Sequence, residues 1–247
     1  MSEMRQTNAF TSRVTPNGNP PAGFRWDAAE AYLFDIDGTL LNSRDAVHYN
    51  AFHSAVQKYF GVSSRIDGVP VHGNTDIGII RAVLRREGVS DAEFEAKLPL
   101  LVEHMCSEVE RNAATLRPEL CPSVAELVAL LQEAGKLLGL ASGNLERIAW
   151  RKLEASGLRR FFVFGCFSDR QEKREDIFRS GIAEARRRLG AEARVYVVGD
   201  TPSDILAARA VGVPVIAVAT GIYSASELLS HGPETCVECC TELLAQR

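Results

Sequence analysis

Long apolar runs are absent from this chain of 247 residues: none approaches the roughly 18 residues that a membrane-spanning helix needs. The first 25 residues hold no apolar segment of the kind a secretory signal carries. Basic excess is lacking too. Lysine and arginine number 28 against 32 aspartates and glutamates, a formal net charge of −4, so the chain has no cationic track for a nucleic acid. Cysteines are few and scattered, at 106, 121, 166, 236, 239 and 240. A chain this long buries a core without disulfide staples, and the expectation is a reduced, cytoplasmic protein. There is no internal repeat. The only biased tract is a polar leader over residues 1–25, which we expect to be flexible because Pro16, Gly18, Pro20, Pro21 and Gly23 interrupt it. The rest is ordinary globular material, 46% hydrophobic and 24% charged, which argues against a largely disordered chain.

Tyr32-Leu33-Phe34 is a short apolar run that stops at Asp35 and reads as a buried strand. Three helical stretches follow. Over about 45–60, Phe52, Ala55, Val56, Tyr59 and Phe60 fall on one face; over 74–87 the face is Ile77, Ile80, Val83 and Leu84. Over 91–112 it is Phe94, Leu98, Leu101, Val102, Met105 and Val109, with Pro99 as the expected kink. From Pro122 the texture alternates. A helix around Leu127, Leu130 and Leu131 precedes a strand at 137–141, and apolar runs at 161–167, 195–198 and 213–218 are separated by helical stretches at about 145–156, 175–189 and 202–211. Short apolar strands alternating with helices predict an α/β fold with a Rossmann-like parallel sheet core and helices on both faces. An all-helical insert over 43–117 then interrupts a core made of 26–42 and 118–247.

In open parallel sheets, ligands bind beyond the carboxyl ends of the strands. The first strand is followed by Asp35-Ile36-Asp37-Gly38-Thr39, the second by Ser142-Gly143-Asn144, and the 195–198 strand by Gly199-Asp200-Thr201-Pro202-Ser203-Asp204. Four carboxylates at one sheet edge repel one another unless a cation neutralises them, and hard oxygen ligands suit Mg²⁺. Ser142 and the backbone N–H groups beside it, Gly143 included, stand ahead of a helix and make an anion site. Alone, each piece has a bland reading: a turn, an N-cap, a capped helix start with Pro202 at its first position. Together they suggest phosphoryl chemistry.

At these residues the chain resembles the haloacid dehalogenase superfamily of phosphohydrolases, over residues 31–222. Asp35 to Leu40 resembles its first motif, Ser142 its second and Gly199 to Asp204 its fourth, and the helical insert is similar to its cap domain. Gly73-Asn74-Thr75-Asp76 and Ala141 to Leu145 point to a phosphoglycolate-phosphatase-like branch. The third motif departs from the pattern: Arg170 to Ile177 lacks the Pro that often follows its cation, and either Lys173 or Arg174 fits the place.

The resemblance implies roles. Asp35 would be the nucleophile and Asp37 the general acid and then base. Mg²⁺ would be held by Asp35, the Asp37 backbone carbonyl and Asp200, with Asp204 orienting from behind. Ser142, Gly143 and Lys173 or Arg174 would hold the phosphoryl oxygens. In the cap, Asn74, Thr75, Asp76 and Arg81 are candidates to face the substrate, while His48, His53, His72 and His104 are read as surface or core residues, and Asn74 or Thr75 equally suits an N-cap. The implied activity is Mg²⁺-dependent hydrolysis of a small phosphomonoester, 2-phosphoglycolate among the candidates. The implied partner is a small phosphorylated metabolite, with no nucleic acid and no membrane, and the chain a monomer or weak homodimer. The acid at Asp37 speaks against a dehalogenase, which needs no proton for a departing halide. Lys58 and Lys97, the only lysines of the insert, lie on expected helix surfaces, which speaks against a Schiff-base phosphonate enzyme. A sugar phosphomutase, a nucleotidase or pyrophosphatase, and a non-catalytic binding module stand as alternatives. The cysteines at 236–240 with His231 have some texture of a zinc site but lack a second paired half; they read as a helix start with incidental thiols.

Overall fold

A computed structural model describes residues 23–246 apart from 44, 64, 65, 67 and 70. The expected leader at 1–25 therefore lies outside the described residues except for its last three positions. The first strand, β1 (Ala31–Phe34), is wholly buried, because neighbours flank it on both sides and helices cover both its faces. Its side chains alternate: Tyr32 and Phe34 enter one apolar cluster, Ala31 and Leu33 the other. After it come β2 (Leu41–Ser43), α1 (Val47–Phe60), α2 (Asp76–Arg86), α3 (Asp91–Arg111), β3 (Pro118–Leu120), α4 (Val124–Glu133), β4 (Leu137–Ala141), α5 (Glu146–Ala155) and β5 (Phe164–Cys166). The chain closes with α6 (Arg174–Leu189), β6 (Val195–Gly199), α7 (Pro202–Ala210), β7 (Val215–Val218), α8 (Ala225–Ser230), β8 (Thr235–Val237) and α9 (Cys240–Ala245).

Six strands form one parallel sheet in the order β5-β4-β1-β6-β7-β8. The chain therefore winds outward from β1 in both directions, and the switch lies beside β1, where a crevice opens at the carboxyl ends. One face carries α4, α5 and α9 through Leu127, Leu153 and Leu243; the other carries α6, α7 and α8 through Phe178, Ile205 and Leu228. Parallel strands with helices on both sides are the predicted fold class.

The insert α1–α3 has its own core, with Phe52, Ile80, Phe94 and Leu101 fully or nearly fully buried. Local chemistry sets its helix ends. Thr75 caps α2 by accepting from Gly78 N at 3.0 Å, and Ser90 caps α3 by accepting from Glu93 N at 3.2 Å. Pro99 does not end α3, which continues for another three turns. Three elements differ from the sequence reading. The insert is framed by a two-stranded antiparallel ribbon, β2 with β3, three residues on each side. The apolar run at 161–167 divides into a 3-10 turn at Arg159–Phe161 and the short β5. Cys236 and Val237 lie in β8 rather than at a helix start, and only Cys240 opens α9. Among the described residues, no helix is long and apolar enough to cross a membrane.

Candidate active site

The neighbouring strands β4, β1 and β6 each end in a polar residue, and the helix after β5 opens with a fourth, all lining one cavity of about 330 Å³ between sheet and insert. Asp35 follows β1, Ser142 follows β4, Asp200 follows β6, and Arg174 opens the helix after β5; all four are at least nine-tenths buried. The turn after Asp35 needs Gly38, whose φ is +84°, and a Cβ there would stand 2.2 Å from Asp200 Oδ2. A Cβ on Gly221 would meet the same oxygen at 1.9 Å. The two glycines thus make the space that the Asp200 carboxylate occupies, and Thr39 Oγ1 donates to its Oδ1 at 2.9 Å.

Arg174 Nη2 lies 2.7 Å from Asp35 Oδ2 and 2.6 Å from Asp204 Oδ1, and its Nε donates to Asp204 Oδ1 at 2.6 Å. The other oxygen of Asp204 accepts from Thr201 N at 3.0 Å and Thr201 Oγ1 at 2.6 Å, in the capping box that starts α7. Asp35, Asp200 and Asp204 each offer an oxygen within 4.8 Å of the others. Asp204 is fully engaged by Arg174 and Thr201, which leaves Asp35 and Asp200 facing the cavity. Burial, countered in part by Arg174 and reinforced by Asp204, pushes Asp35 up to about 6. Burial with Asp204 and Asp35 nearby pushes Asp200 up to about 8. Three buried carboxylates around one guanidinium leave excess negative charge, and this oxygen-rich set suits a hard divalent cation. Among the described residues it is the one His/Cys/Asp/Glu cluster able to hold a metal, so the cysteines near the C-terminus form none.

Asp37 is held from the other side. Lys152 Nζ donates to its Oδ1 at 2.8 Å and its Oδ2 at 2.7 Å, and Asn144 Nδ2 donates to Oδ2 at 2.8 Å. Burial alone would raise this carboxyl, but Lys152 and Asn144 hold it below the ordinary carboxylate range. Its side chain is still 43% exposed, so water and ligand can reach it from the cavity.

The chain matches the family model described as haloacid dehalogenase-like hydrolase over residues 32–218. It belongs to the haloacid dehalogenase-like hydrolase family. It is 29% identical over 226 residues to a phosphoglycolate phosphatase of Mesorhizobium japonicum, covering 86% of this chain and 95% of that one. It is 26% identical to the pyrophosphatase PpaX of Bacillus pumilus, over 86% and 94% of the two chains. The solved structure of CbbY from Rhodobacter sphaeroides in complex with phosphate superposes with a TM-score of 0.65 at 21% identity, covering 87% and 96%. This haloacid dehalogenase-like chain is thus a phosphohydrolase by family and by the names of its relatives.

The expected site residues divide. Asp35, Asp37, Ser142, Gly143, Arg174 and Asp200 line the cavity together. Lys173 does not: it is the N-cap residue of α6 and is exposed, while Arg174, one position on, turns inward. Asn74 and Asp76 line the cavity, but Asp76 Oδ2 also accepts from Leu145 N at 2.8 Å and lies 3.1 Å from His48 Nε2. Thr75 lines none of it; its hydroxyl caps α2 and donates to the Glu172 carbonyl at 2.7 Å, docking insert on core. Arg81 is spent likewise, on Glu172 and Glu95, with its guanidinium over the Phe94 ring. His48 and His72, read from sequence as surface or core residues, line the cavity, as do Asn144 and Lys152, for which no role was expected. The signal for Lys152 was there: it falls on the buried side of α5 with Ile148, Ala149 and Leu153, and a charge inside an apolar stripe needs a partner.

Proposed function

We propose that this phosphohydrolase is a Mg²⁺-dependent phosphatase of small phosphomonoesters that works through an aspartyl-phosphate on Asp35. The observation that carries the reading is the convergence of Asp35, Ser142 and Asp200 at three adjacent strand ends with Arg174 from the start of α6, and Asp37 two residues beyond the nucleophile. Asp35 and Asp200, with the Asp37 carbonyl, would hold Mg²⁺, whose charge offsets the repulsion between a carboxylate nucleophile and an anionic phosphate. Arg174, fixed by Asp204, orients the Asp35 carboxylate. The Ser142 hydroxyl and nearby N–H groups receive phosphoryl oxygens.

In the first half-reaction an Asp35 oxygen bonds to phosphorus, the ester P–O bond breaks, and Asp37 passes its proton to the departing alkoxide. In the second, Asp37 takes a proton from water as the water oxygen bonds to phosphorus, and the Asp35–phosphorus bond breaks to release phosphate. The insert, closed over the cavity, excludes bulk water from both steps.

The relatives' names make 2-phosphoglycolate the first substrate to test and inorganic pyrophosphate the second. The test is phosphate release from a panel holding both, with Mg²⁺ and with EDTA, for the wild type and Asp35→Asn. Release that needs Mg²⁺ and vanishes in the variant is expected. Release that survives in Asp35→Asn would overturn the aspartyl-phosphate route. No release from any compound by folded protein with Mg²⁺ would shift the reading to a mutase or a binding module.

A further inference from the structure

Lys152 is among the least exposed charged groups of the molecule, its side chain 4% accessible. A buried ammonium is costly unless every N–H is satisfied by a good acceptor. Here all three are: Asp37 Oδ1 at 2.8 Å, Asp37 Oδ2 at 2.7 Å and Asn144 Oδ1 at 2.8 Å. Asn144 is spent in the same way. Its carbonyl accepts from Lys152, and its amide donates to Asp37 Oδ2 at 2.8 Å and to Ser142 Oγ at 3.0 Å. No N–H of Lys152 is left for a phosphoryl oxygen, so this lysine acts through Asp37 rather than on the substrate.

We propose that Lys152 is the positioning residue of the acid–base carboxyl, pinning Asp37 through both oxygens and, with Asn144, tying it to the Ser142 side of the phosphoryl site. This rests on the phosphatase reading above. The ammonium keeps Asp37 ionised in the empty site, and the proton it later donates sits on the oxygen that then gives up its Lys152 N–H. Without the tie, the half-exposed side chain would turn among its staggered rotamers, and a proton donor must lie within hydrogen-bond reach of the leaving oxygen. A positioned acid contributes on the order of 10²–10⁴ in rate, so a loosened one forfeits part of that. The helix geometry serves the tie. Asn144 lies just ahead of α5 and Lys152 two turns into it, so one helix start delivers both holders to the same carboxyl.

The leaving group separates positioning from structure. An alkoxide needs a proton as it departs; p-nitrophenolate does not. The value of kcat/KM covers only the steps up to that departure, so it is blind to the later hydrolysis of the phosphoenzyme. The experiment compares Lys152→Met with wild type on p-nitrophenyl phosphate and on 2-phosphoglycolate, or on the best alkyl ester of the panel if that one is not turned over. Expected is a loss in kcat/KM of about 30- to 100-fold on the alkyl ester and under about 5-fold on the aryl ester. Lys152→Arg, which keeps a cation and a fork of donors, recovers part of the alkyl-ester loss. Equal losses on both esters, or no loss on either, overturn the proposal. If Lys152→Met does not fold, Asn144→Ala loosens the same carboxyl with Lys152 in place, and the same alkyl-over-aryl asymmetry must appear, smaller in size; its absence overturns the proposal equally. Wild-type protein inert on both esters would instead overturn the phosphatase reading, and the proposal with it.

Discussion

Asp200 combines deep burial with two like charges, and its carboxylate fills the space that Gly38 and Gly221 leave. A carboxyl raised to about 8 in the folded chain binds its proton more tightly than the same group unfolded, which releases it near pH 4. Its contribution to stability is therefore fully present below about pH 4 and is lost as pH rises towards about 8. Asp35, raised to about 6, acts in the same direction but finishes earlier, so the slope between about pH 6 and 8 belongs to Asp200. In EDTA, Asp200→Asn should melt higher than wild type at about pH 8 and nearly level with it at about pH 5. Added Mg²⁺ should raise the wild-type melting temperature at about pH 8 and leave the variant's unchanged. Calorimetry at the two pH values, with and without Mg²⁺, checks both statements; a Mg²⁺ shift that persists in the variant would remove Asp200 from the metal's ligands. At this scale the sequence was legible wherever a polar residue closes an apolar run, as at Asp35, Ser142 and Asp200. At Lys152 the apolar stripe showed that a partner was needed but not which one, because Asp37 is 115 residues away, and the sequence was ambiguous at 173–174, where a helix start one residue earlier or later decides which cation turns inward.

Among the elements, the approach of the 73–76 loop to the start of α5 governs how the insert closes. Gly143 passes so near this loop that a Cβ would stand 2.4 Å from the Asn74 carbonyl oxygen, backbone against backbone. Asp76 N donates to Gly143 O at 2.8 Å, and Leu145 N donates back to Asp76 Oδ2 at 2.8 Å. Gly143→Ala must push the loop away from Ser142. The expected cost is about 1–3 kcal/mol in stability, together with a fall in kcat/KM of about 10- to 100-fold from the displaced site. Steady-state kinetics beside urea unfolding would test this; wild-type kinetics in the variant would mean that the loop's close approach is not needed. The main elements were legible because β1, β4, β6 and β7 are apolar runs, the first three ending in polar residues, and α1–α3 repeat at helical spacing. The β2–β3 ribbon and β8 were not, because three residues carry no period to read. The ribbon pairs residues 75 to 79 apart, Ser43 with Pro118 through Leu41 with Leu120, a contact that no local pattern announces.

Across the whole molecule, α5 is the seam between insert and core. Leu145 at its start and Ile148 within it are fully buried in the insert's cluster, while Ala149 and Leu153 are fully buried in the cluster under the sheet. The same helix meets the insert through Arg147, whose guanidinium reaches Glu103 and Glu110 at 2.6 Å. That arginine is 41% exposed and its partner Glu103 more so, so solvent screens its ion pairs and they contribute little, whereas truncating buried Ile148 to alanine should cost about 2–5 kcal/mol. Apolar contact on both sides of one helix, rather than surface charge, therefore couples the two halves. The insert cannot unfold alone without baring Leu145 and Ile148, and the core cannot unfold without dissolving the helix on which the insert rests. Both tryptophans, Trp26 and Trp150, lie outside the insert, so their fluorescence follows the core, while far-ultraviolet circular dichroism also registers the helices α1–α3. In the wild type the two signals should trace one transition with a shared midpoint. In Ile148→Ala the dichroism should begin to fall before the fluorescence, as the insert loosens first, while Arg147→Ala keeps the traces superimposed. Separate transitions already in the wild type would mean that α5 belongs to one half only, and that the insert opens over the cavity as an independent unit.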